Sequence, residues 1–369
     1  MELNIYQKKA VMAPEPRVLC LASAASGKTS TIVERIRYLI QEKGVAAKDI
    51  VAITYTRMAA EEMKRRLGSI VTETFIGTIH AYATYICELN NISVYPYVIT
   101  ERFDKILEEA CMVSVKKYPH ISHLLVDECQ DVMPEEELFL TRIPAENAFF
   151  VGDDRQQIYT FRGSSDKFLR SMYDDENVAK YQLRYNYRNA PNIIKFANSF
   201  LGSYEPLSYN SLPVKQEDGY IENCQFFEAL EALKETDNYG SWFILTRSNA
   251  QIEKAQQILE EEKIPHVTFR KSDLNLEDLD LIMSENRVKI LTAHAAKGLE
   301  APNVIVTGMC IYNLDERKLA YVAATRAENN LYWCPAVGPR KKKKGEHISE
   351  KLRGGRIFDK APQEMIKFG

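Results

Sequence analysis

Two short stretches constrain this chain more than any others: Ala22-Ser23-Ala24-Ala25-Ser26-Gly27-Lys28-Thr29-Ser30 and Leu124-Leu125-Val126-Asp127-Glu128. The first follows the apolar run Val18-Leu19-Cys20-Leu21 and precedes Ile32, Val33, Ile36, Leu39 and Ile40 at helical spacing, so it reads strand, loop, helix. A phosphate-binding loop requires that context. Backbone N–H groups of Ala25, Ser26 and Gly27 would face phosphate oxygens, Lys28 would reach the β- and γ-phosphates, and the Thr29 hydroxyl would sit on Mg²⁺. Ser30 closes the loop. Asp127 would hold the same metal through its shell, and Glu128 would orient or deprotonate an attacking water. A bare Gly-Lys-Thr is a weak signal, and Ala22 replaces the usual first glycine. A lone acidic pair is commonly a solvated turn; the two stretches together favour a triphosphate site at the carboxyl ends of parallel strands.

The totals set the frame. A length of 369 residues suggests about two domains. A net charge of −3 announces no polyanion partner, so any nucleic-acid surface must be local. Seven cysteines without a Cys-x-x-Cys, and a start lacking a signal-peptide pattern, predict reduced thiols in a cytoplasmic protein. No apolar run reaches the ~18 residues needed to span a membrane, and the six histidines show no metal-ligand spacing, so neither a membrane segment nor a structural zinc is expected.

Along the chain, Leu3-Asn4 with Gln7 and Ala10 opens a short helix, where Gln7 would read an adenine edge or lie on the surface. Ile50 to Thr56 read as a second buried strand, with Tyr55 and Thr56 at its end, and Thr74 to His80 repeat the plan with Thr78 and His80 at the exit. Residues 81–120 turn helical and tyrosine-rich, a small insertion. Phe149 to Asp154 make another strand, followed by Arg155-Gln156-Gln157-Ile158-Tyr159-Thr160-Phe161-Arg162. Aromatics alternating with arginine suit a single-strand stacking platform; two core aromatics of a strand are the alternative, weakened by the flanking Arg155 and Arg162. The domain change is placed near Glu176 to Lys180. A second alternation of strands (Trp242 to Thr246, Val288 to Thr292, Val304 to Thr307) and helices (Gln251 to Glu262) indicates a second parallel sheet. The run Arg340 to Gly345 is read as a solvated basic turn ahead of a phosphate-binding role.

Taken in order, these motifs resemble those of the UvrD/Rep/PcrA-type superfamily 1 DNA helicases. Leu3-Asn4 with Gln7 is similar to the glutamine motif, Ala22 to Thr29 to motif I, and Thr54 to Met63 to motif Ia. Gly77-Thr78-Ile79-His80 matches the next block. Val126-Asp127-Glu128-Cys129-Gln130-Asp131 resembles motif II, Val151 to Gly163 motif III, and Asn186-Tyr187-Arg188 motif IV. Thr292 to Glu300 resembles motif V, and Leu319 to Ala327 motif VI.

The resemblance implies an α/β fold: two tandem RecA-like P-loop domains with parallel sheets and a small helical insertion in the first. The domains would span 1–178 (insertion about 81–120) and 179–336, with a basic turn and C-terminal segment at 337–369. It implies ATP with Mg²⁺ in the cleft between the domains. Lys28, Thr29, Asp127, Glu128, Gln156 as γ-phosphate sensor, and Arg188 and Arg326 as arginine fingers would form the catalytic set. Gln7, Ser30, Tyr187 stacked on adenine and Glu300 on the ribose would bind nucleotide. Tyr55, Thr56, His80, Tyr159, Phe161, Arg162, Thr292 and His294 would line a single-strand track followed 3′ to 5′. The implied partners are single-stranded DNA and single/double-strand junctions. The implied protein is a monomer recruited by other replication or repair proteins, with a slow-turnover DNA clamp or a motor subunit of a larger complex as alternatives.

The departures are specific. Ser23 and Ala25 replace motif I glycines, Ser30 replaces an arginine that sandwiches adenine, and Phe161 replaces a tryptophan. The second accessory domain is almost absent between Arg270 and Asn286, and the strand-separating hairpin falls around Val337 to Glu346 without an aromatic tip. A near-minimal motor is expected, better at translocating than at unwinding.

Overall fold

Alternating apolar residues along buried strands decide the layers. In the first part of the chain, Val18, Cys20, Ala52, Leu125, Phe149 and Val151 share one face of a sheet, and Leu19, Leu21, Val51, Ile53, Leu124 and Phe150 share the other. Both faces must therefore be covered, as parallel sheets require. The computed structural model describes residues 2–208, 210–270 and 274–337 and the backbone of 367–368. The chain divides into two units, Met1–Arg184 with Pro206–Ser211, and Tyr185–Glu205 with Leu212–Gly369.

The first unit carries strands β1 (Arg17–Ala22), β2 (Ile50–Thr54), β3 (Phe75–Thr78), β4 (Ile121–Val126), β5 (Ala145–Gly152) and β6 (Ala179–Leu183). They form one sheet in the order β3-β2-β4-β5-β1-β6, every pair parallel. Its helices are α1 (Ile5–Val11), α2 (Lys28–Gln41), α3 (Arg57–Leu67), α4 (Ile79–Leu89), α5 (Tyr95–Ile99), α6 (Phe103–Met112), α7 (Pro134–Arg142) and α8 (Lys167–Asp174). Helices α2 and α3 cover the Val18 face through Ile32, Val33, Ile36, Ala60 and Met63. Helices α4, α6 and α7 cover the opposite face through Tyr82, Ile86, Ile106, Leu107 and Phe139, so the helical insertion shares the core of the sheet. The capping box of Asn4 and Gln7 starts α1, and Arg35 of α2 holds its end, with Nη1 2.8 to 3.2 Å from the carbonyls of Ala10, Val11 and Ala13.

The expected division at 178/179 is displaced. Residues 179–183 pair with β1 from Val18↔Ala179 to Ala22↔Leu183, and Leu183 is buried in the first core, so the first unit ends after Arg184.

The second unit holds β7 (Tyr185–Asn186), β8 (Leu212–Pro213), β9 (Tyr220–Asn223), β10 (Trp242–Thr246), β11 (His266–Thr268), β12 (Val288–Thr292), β13 (Ala301–Thr307), β14 (Ala327–Cys334) and β15 (Lys367–Phe368). Seven of these make a parallel sheet in the order β11-β12-β10-β13-β14-β9-β15, while β7 and β8 pair separately. The helices are α9 (Pro191–Ser199), α10 (Phe226–Lys234), α11 (Asn249–Glu261), α12 (Leu276–Ser284) and α13 (Leu314–Ala324). Between Arg270 and Asn286 the described structure is α12, started by a capping box on Asn275. The basic run and the expected hairpin lie, apart from Val337, outside the described residues. The seven cysteines are free thiols, five of them buried. No helix of the described residues is long and apolar enough to cross a membrane.

Candidate nucleotide and nucleic-acid site

Strands β4, β5 and β1 are adjacent and parallel, so their carboxyl ends emerge along one edge of the first sheet. Ligands bind at such edges. After β1 the chain makes the expected loop. Ser26 N and Oγ both donate to Ser23 O, at 3.3 and 2.7 Å, Gly27 is left-handed at φ +83°, and α2 begins at Lys28. Ala25 is also left-handed at φ +59°, a conformation glycine adopts without strain and alanine at a cost of about 1 to 2 kcal/mol. Lys28 Nζ lies 3.4 Å from Ala22 O, back across the loop.

Gln7 is fully buried and belongs to this loop. Its Nε2 donates to Ser26 O at 3.3 Å and its Oε1 accepts from Asn4 N at 3.1 Å, so the surface alternative is excluded. The loop and α1 are in close contact: a Cβ on Gly27 would stand 2.5 Å from Gln7 Nε2. Ser30 Oγ accepts from Arg66 Nη1 at 3.1 Å. A guanidinium thus does stand at position 30, brought by α3, and sequence reading missed it because Arg66 is one cation in a basic helix end.

At the end of β4, Asp127 N extends the ladder by donating to Ile53 O at 2.8 Å, and Asp127 Oδ1 accepts from Glu128 N at 2.9 Å. Glu128 sits at φ +52°, a left-handed turn that ends the strand. Asp127 is 5% exposed, whereas Glu128 is only half-buried. Gln130, fully buried, donates through Nε2 to Glu128 Oε2 and accepts at Oε1 from Asp153 N at 2.9 Å. Asp153 Oδ2 in turn accepts from Gln156 Nε2 at 2.7 Å. Leu207 N donates to Asp154 Oδ2 at 3.0 Å, and Arg155 Nη2 donates to Ser208 O at 2.7 Å. Ser23 and Ser211 hydroxyls meet at 2.5 Å. Leu207 and Ser208 thus buttress the β5 end, and Ser211 the loop.

An oxygen donor set of one buried carboxylate and one first-turn hydroxyl, Asp127 and Thr29, suits Mg²⁺, which keeps waters and phosphate oxygens as its remaining ligands.

Four of the residues expected on the single-strand track, Tyr55, Tyr159, Phe161 and Arg162, form an aromatic cluster. Tyr55 and Tyr159 stack at 5.2 Å with 19° between planes, and Phe161 meets Tyr159 edge-on at 6.0 Å. The Arg162 guanidinium lies over both Tyr159 and Phe161, and its Nη1 donates to Tyr55 OH at 3.2 Å. Phe161 is 68% exposed, which rules out the core-strand alternative for it. Thr56 caps α3 by accepting from Ala59 N at 3.2 Å. His80 stands in the first turn of α4, not at the strand end: β3 stops at Thr78, whose hydroxyl caps that helix by accepting from Ala81 N. His80 packs edge-on to Phe103 of α6 and faces Glu136 of α7 at 3.8 Å. Burial holds the His80 imidazole below its usual pKa and pushes the Glu136 carboxyl up to about 7. Tyr55, Thr78, His80, Asp127, Glu128 and Glu136 all line one small cavity of about 40 Å³, so two of the expected track residues and the acid pair share it.

In the second unit, Asn186 organises the motif around Tyr187 and Arg188. Its Oδ1 accepts from Arg188 N at 3.0 Å and Asn189 N at 2.9 Å, and Asn189 Nδ2 donates to Thr325 O at 3.0 Å. Arg188 is ion-paired to Glu300 and donates to Thr325 O at 3.3 Å. Two residues expected on different parts of a nucleotide therefore hold each other. Tyr187 packs edge-on to Tyr185. Arg326 is buried, donating to Val322 O at 2.9 Å, Leu299 O at 3.1 Å and Thr325 Oγ1 at 3.1 Å. Thr292 Oγ1 accepts from Ala295 N at 3.2 Å and shapes the turn that carries His294. A larger depression, about 790 Å³, lies among Asn192, Lys215, Asp218 and Asn330 and contains none of the expected site residues.

Two family profiles match this chain: the UvrD/REP helicase N-terminal domain over residues 3–118 and 97–177, and the UvrD-like helicase C-terminal domain over 269–336. A probable DNA helicase of Mycoplasma pneumoniae is 24% identical, over 89% of this chain and 82% of its own. The ATP-dependent DNA helicase Rep of Buchnera aphidicola is 26% identical over 74% of this chain and 58% of its own. DNA helicase II of Escherichia coli is 24% identical over 72% of this chain, which spans 51% of that protein. The chain thus covers little more than half the length of most of these curated relatives. Tandem RecA-like folds characterise the family, and the two parallel α/β sheets here agree with them. With both terminal profiles matched in order along the chain, the chain belongs to the UvrD/Rep helicase family.

Proposed function

We propose that the protein is an ATP-dependent DNA helicase that moves 3′ to 5′ along single-stranded DNA by hydrolysing ATP. The observation that carries this reading is that Asp127, Glu128, Tyr55 and His80 line one small cavity, which sets the acid pair within a few side chains of the aromatic cluster that Tyr55 joins.

In this reading the backbone of residues 25–27 and Lys28 hold the triphosphate at the start of α2, where N–H groups and helix dipole favour anions. Thr29 and Asp127 hold Mg²⁺, which would neutralise charge on the β- and γ-phosphate oxygens. Glu128 orients the attacking water and takes its proton, and Gln156 reports the γ-phosphate. Arg188 and Arg326 stabilise the charge that develops in transfer; such an arginine is worth about 10³ to 10⁵ in rate. For Arg188 this means exchanging Glu300 for phosphate. Gln7, Tyr187 and Glu300 bind the nucleoside, with Arg66 beside Ser30 contributing a cation near the base. Tyr159, Phe161 and Arg162, with Tyr55, Thr56, His80, Thr292 and His294, hold the strand. Bases stacked on such rings gain about 1 to 3 kcal/mol each with little regard to sequence, as a translocase needs. Monomeric action, junction preference and recruitment by replication or repair proteins belong to the same proposal.

The test compares ATP hydrolysis with and without single-stranded DNA in the wild type and in Glu128→Gln, then streptavidin displacement from oligonucleotides biotinylated at either end. Stimulation that disappears in Glu128→Gln, with displacement from the 5′ end only, is expected. Slow hydrolysis indifferent to DNA and to the substitution would sink the motor reading in favour of a clamp, and displacement from the 3′ end would reverse the polarity.

A further inference from the structure

Gln130 has no part in the scheme above, yet it is fully buried between the two strand ends that do the chemistry. Its amide orientation is set by its neighbours. Nε2 faces two carboxylates, donating to Glu128 Oε2 and lying 3.4 Å from Asp131 Oδ2, while Oε1 faces the Asp153 N–H at 2.9 Å. A flipped amide would put oxygen against carboxylates and NH₂ against N–H. The backbone accommodates the crossing at Gly152, where a Cβ would stand 2.9 Å from Gln130 Oε1 and 2.7 Å from Cys129 Sγ.

Resting on the helicase reading, we propose that Gln130 is the positioning residue that couples the DNA track to the water-activating carboxylate. The path is continuous. Glu128 is held by Gln130, Gln130 by the backbone of Asp153, and the Asp153 carboxylate holds Gln156 at 2.7 Å. Three residues beyond Gln156, Tyr159 stacks on Tyr55 and carries Arg162 on its face. A base seated on that cluster shifts the segment 153–159, and the shift reaches Glu128 through one rigid amide. Glutamine fits this task because it offers a donor at one end and an acceptor at the other. Methionine would leave the buried Asp153 N–H unpaired, and glutamate would keep the acceptor but set a third carboxylate against Glu128 and Asp131.

Gln130→Met and Gln130→Glu separate these functions, the second keeping the acceptor for Asp153 N and replacing the donor with a carboxylate oxygen. Displacing a catalytic group by about 1 Å costs on the order of 100-fold. Both variants should lose about 10- to 100-fold in DNA-saturated kcat, with KM for ATP and Kd for single-stranded DNA within about twofold of wild type. In a Glu128→Gln background the same substitutions should cost less than about twofold more, because the residue they position is already gone. A merely structural role would raise KM and Kd and would add to Glu128→Gln. DNA stimulation retained in both Gln130 variants, or additive losses in the double variants, overturns the coupling proposal while the helicase reading stands. A wild type without DNA-stimulated hydrolysis overturns both. If Gln130→Met folds poorly, Gln130→Glu, which preserves shape and the bond to Asp153, carries the test alone.

Discussion

Replacing Gly27 with alanine should damage the nucleotide loop through two separable costs. The first is conformational: at φ +83° a Cβ costs about 1 to 2 kcal/mol. The second is contact, because the new Cβ would lie 2.5 Å from Gln7 Nε2 and Gln7 has to move. Moving it breaks the bonds from Gln7 Nε2 to Ser26 O and from Asn4 N to Gln7 Oε1, at about 1 kcal/mol each. The sum is about 3 to 4 kcal/mol. Gly44 supplies the control, since it is left-handed at φ +68° with no atom within 4 Å of its would-be Cβ; Gly44→Ala should cost about 1 to 2 kcal/mol. Both tryptophans, Trp242 and Trp333, belong to the second unit, so their emission during urea unfolding follows that unit. Far-UV circular dichroism adds the first unit's transition, where the two variants should differ by about 2 kcal/mol. Equal costs within about 0.5 kcal/mol would refute the claim that Gln7 braces the loop.

Phe161→Ala should weaken single-stranded DNA binding by about 1 to 3 kcal/mol, and Phe161→Trp should tighten it modestly; an unchanged Kd for the alanine variant, by fluorescence anisotropy, removes Phe161 from the track. Glu136 makes stability depend on pH. Its folded carboxyl is raised by burial to about 7 from 4.5, so its contribution is fully present below about 4.5 and is lost as pH rises through about 7. The difference, 7 minus 4.5, corresponds to about 3 kcal/mol for this buried group; burial is the main cause, the bond from Met133 N opposes it, and the Asp131 and Glu135 charges add to it. Glu136→Gln retains an acceptor for Met133 N and should flatten the profile, leaving the variant the more stable protein at pH 8 by urea titration. A parallel profile would show that the carboxyl is ionised in the fold.

What the sequence disclosed depended on how local its signals are. The loop after β1 was legible because a buried run, a Gly-Lys-Thr and a helical stripe are contiguous, and the acid pair because it ends an apolar strand. The edge strand β6 was not, since Lys180 and Gln182 interrupt its apolar residues and its burial comes from pairing with β1, more than 150 residues away by number. Strand β14 begins Ala-Glu-Asn-Asn and reads as a turn until Leu331; only its neighbours β13 and β9 make it a strand. His80 was assigned to a strand end because Ile79 continues an apolar run, whereas Thr78 caps a helix there. The contacts of Gln130 with Asp153, of Glu136 with His80 and of Arg66 with Ser30 are tertiary, and no spacing in the sequence announces them.

The return of residues 206–211 to the first unit bears on how the chain comes to be folded during synthesis. The bonds of the buried Asp154 with Leu207 N, of Arg155 with Ser208 O and of Ser23 with Ser211 form only after Tyr185–Glu205, which includes α9, has left the ribosome. The nucleotide loop and the β5 end thus stay incompletely braced until part of the second unit has already been made. A fragment cut after Arg184 would lose these bonds permanently, removing the Leu207 N–H from the buried Asp154 carboxylate and the Ser208 carbonyl from the buried Arg155 guanidinium. The two units are consecutive along most of the sequence yet entwined in order of assembly, and a working boundary for expressing the first alone lies beyond Ser211 rather than at the end of its last strand.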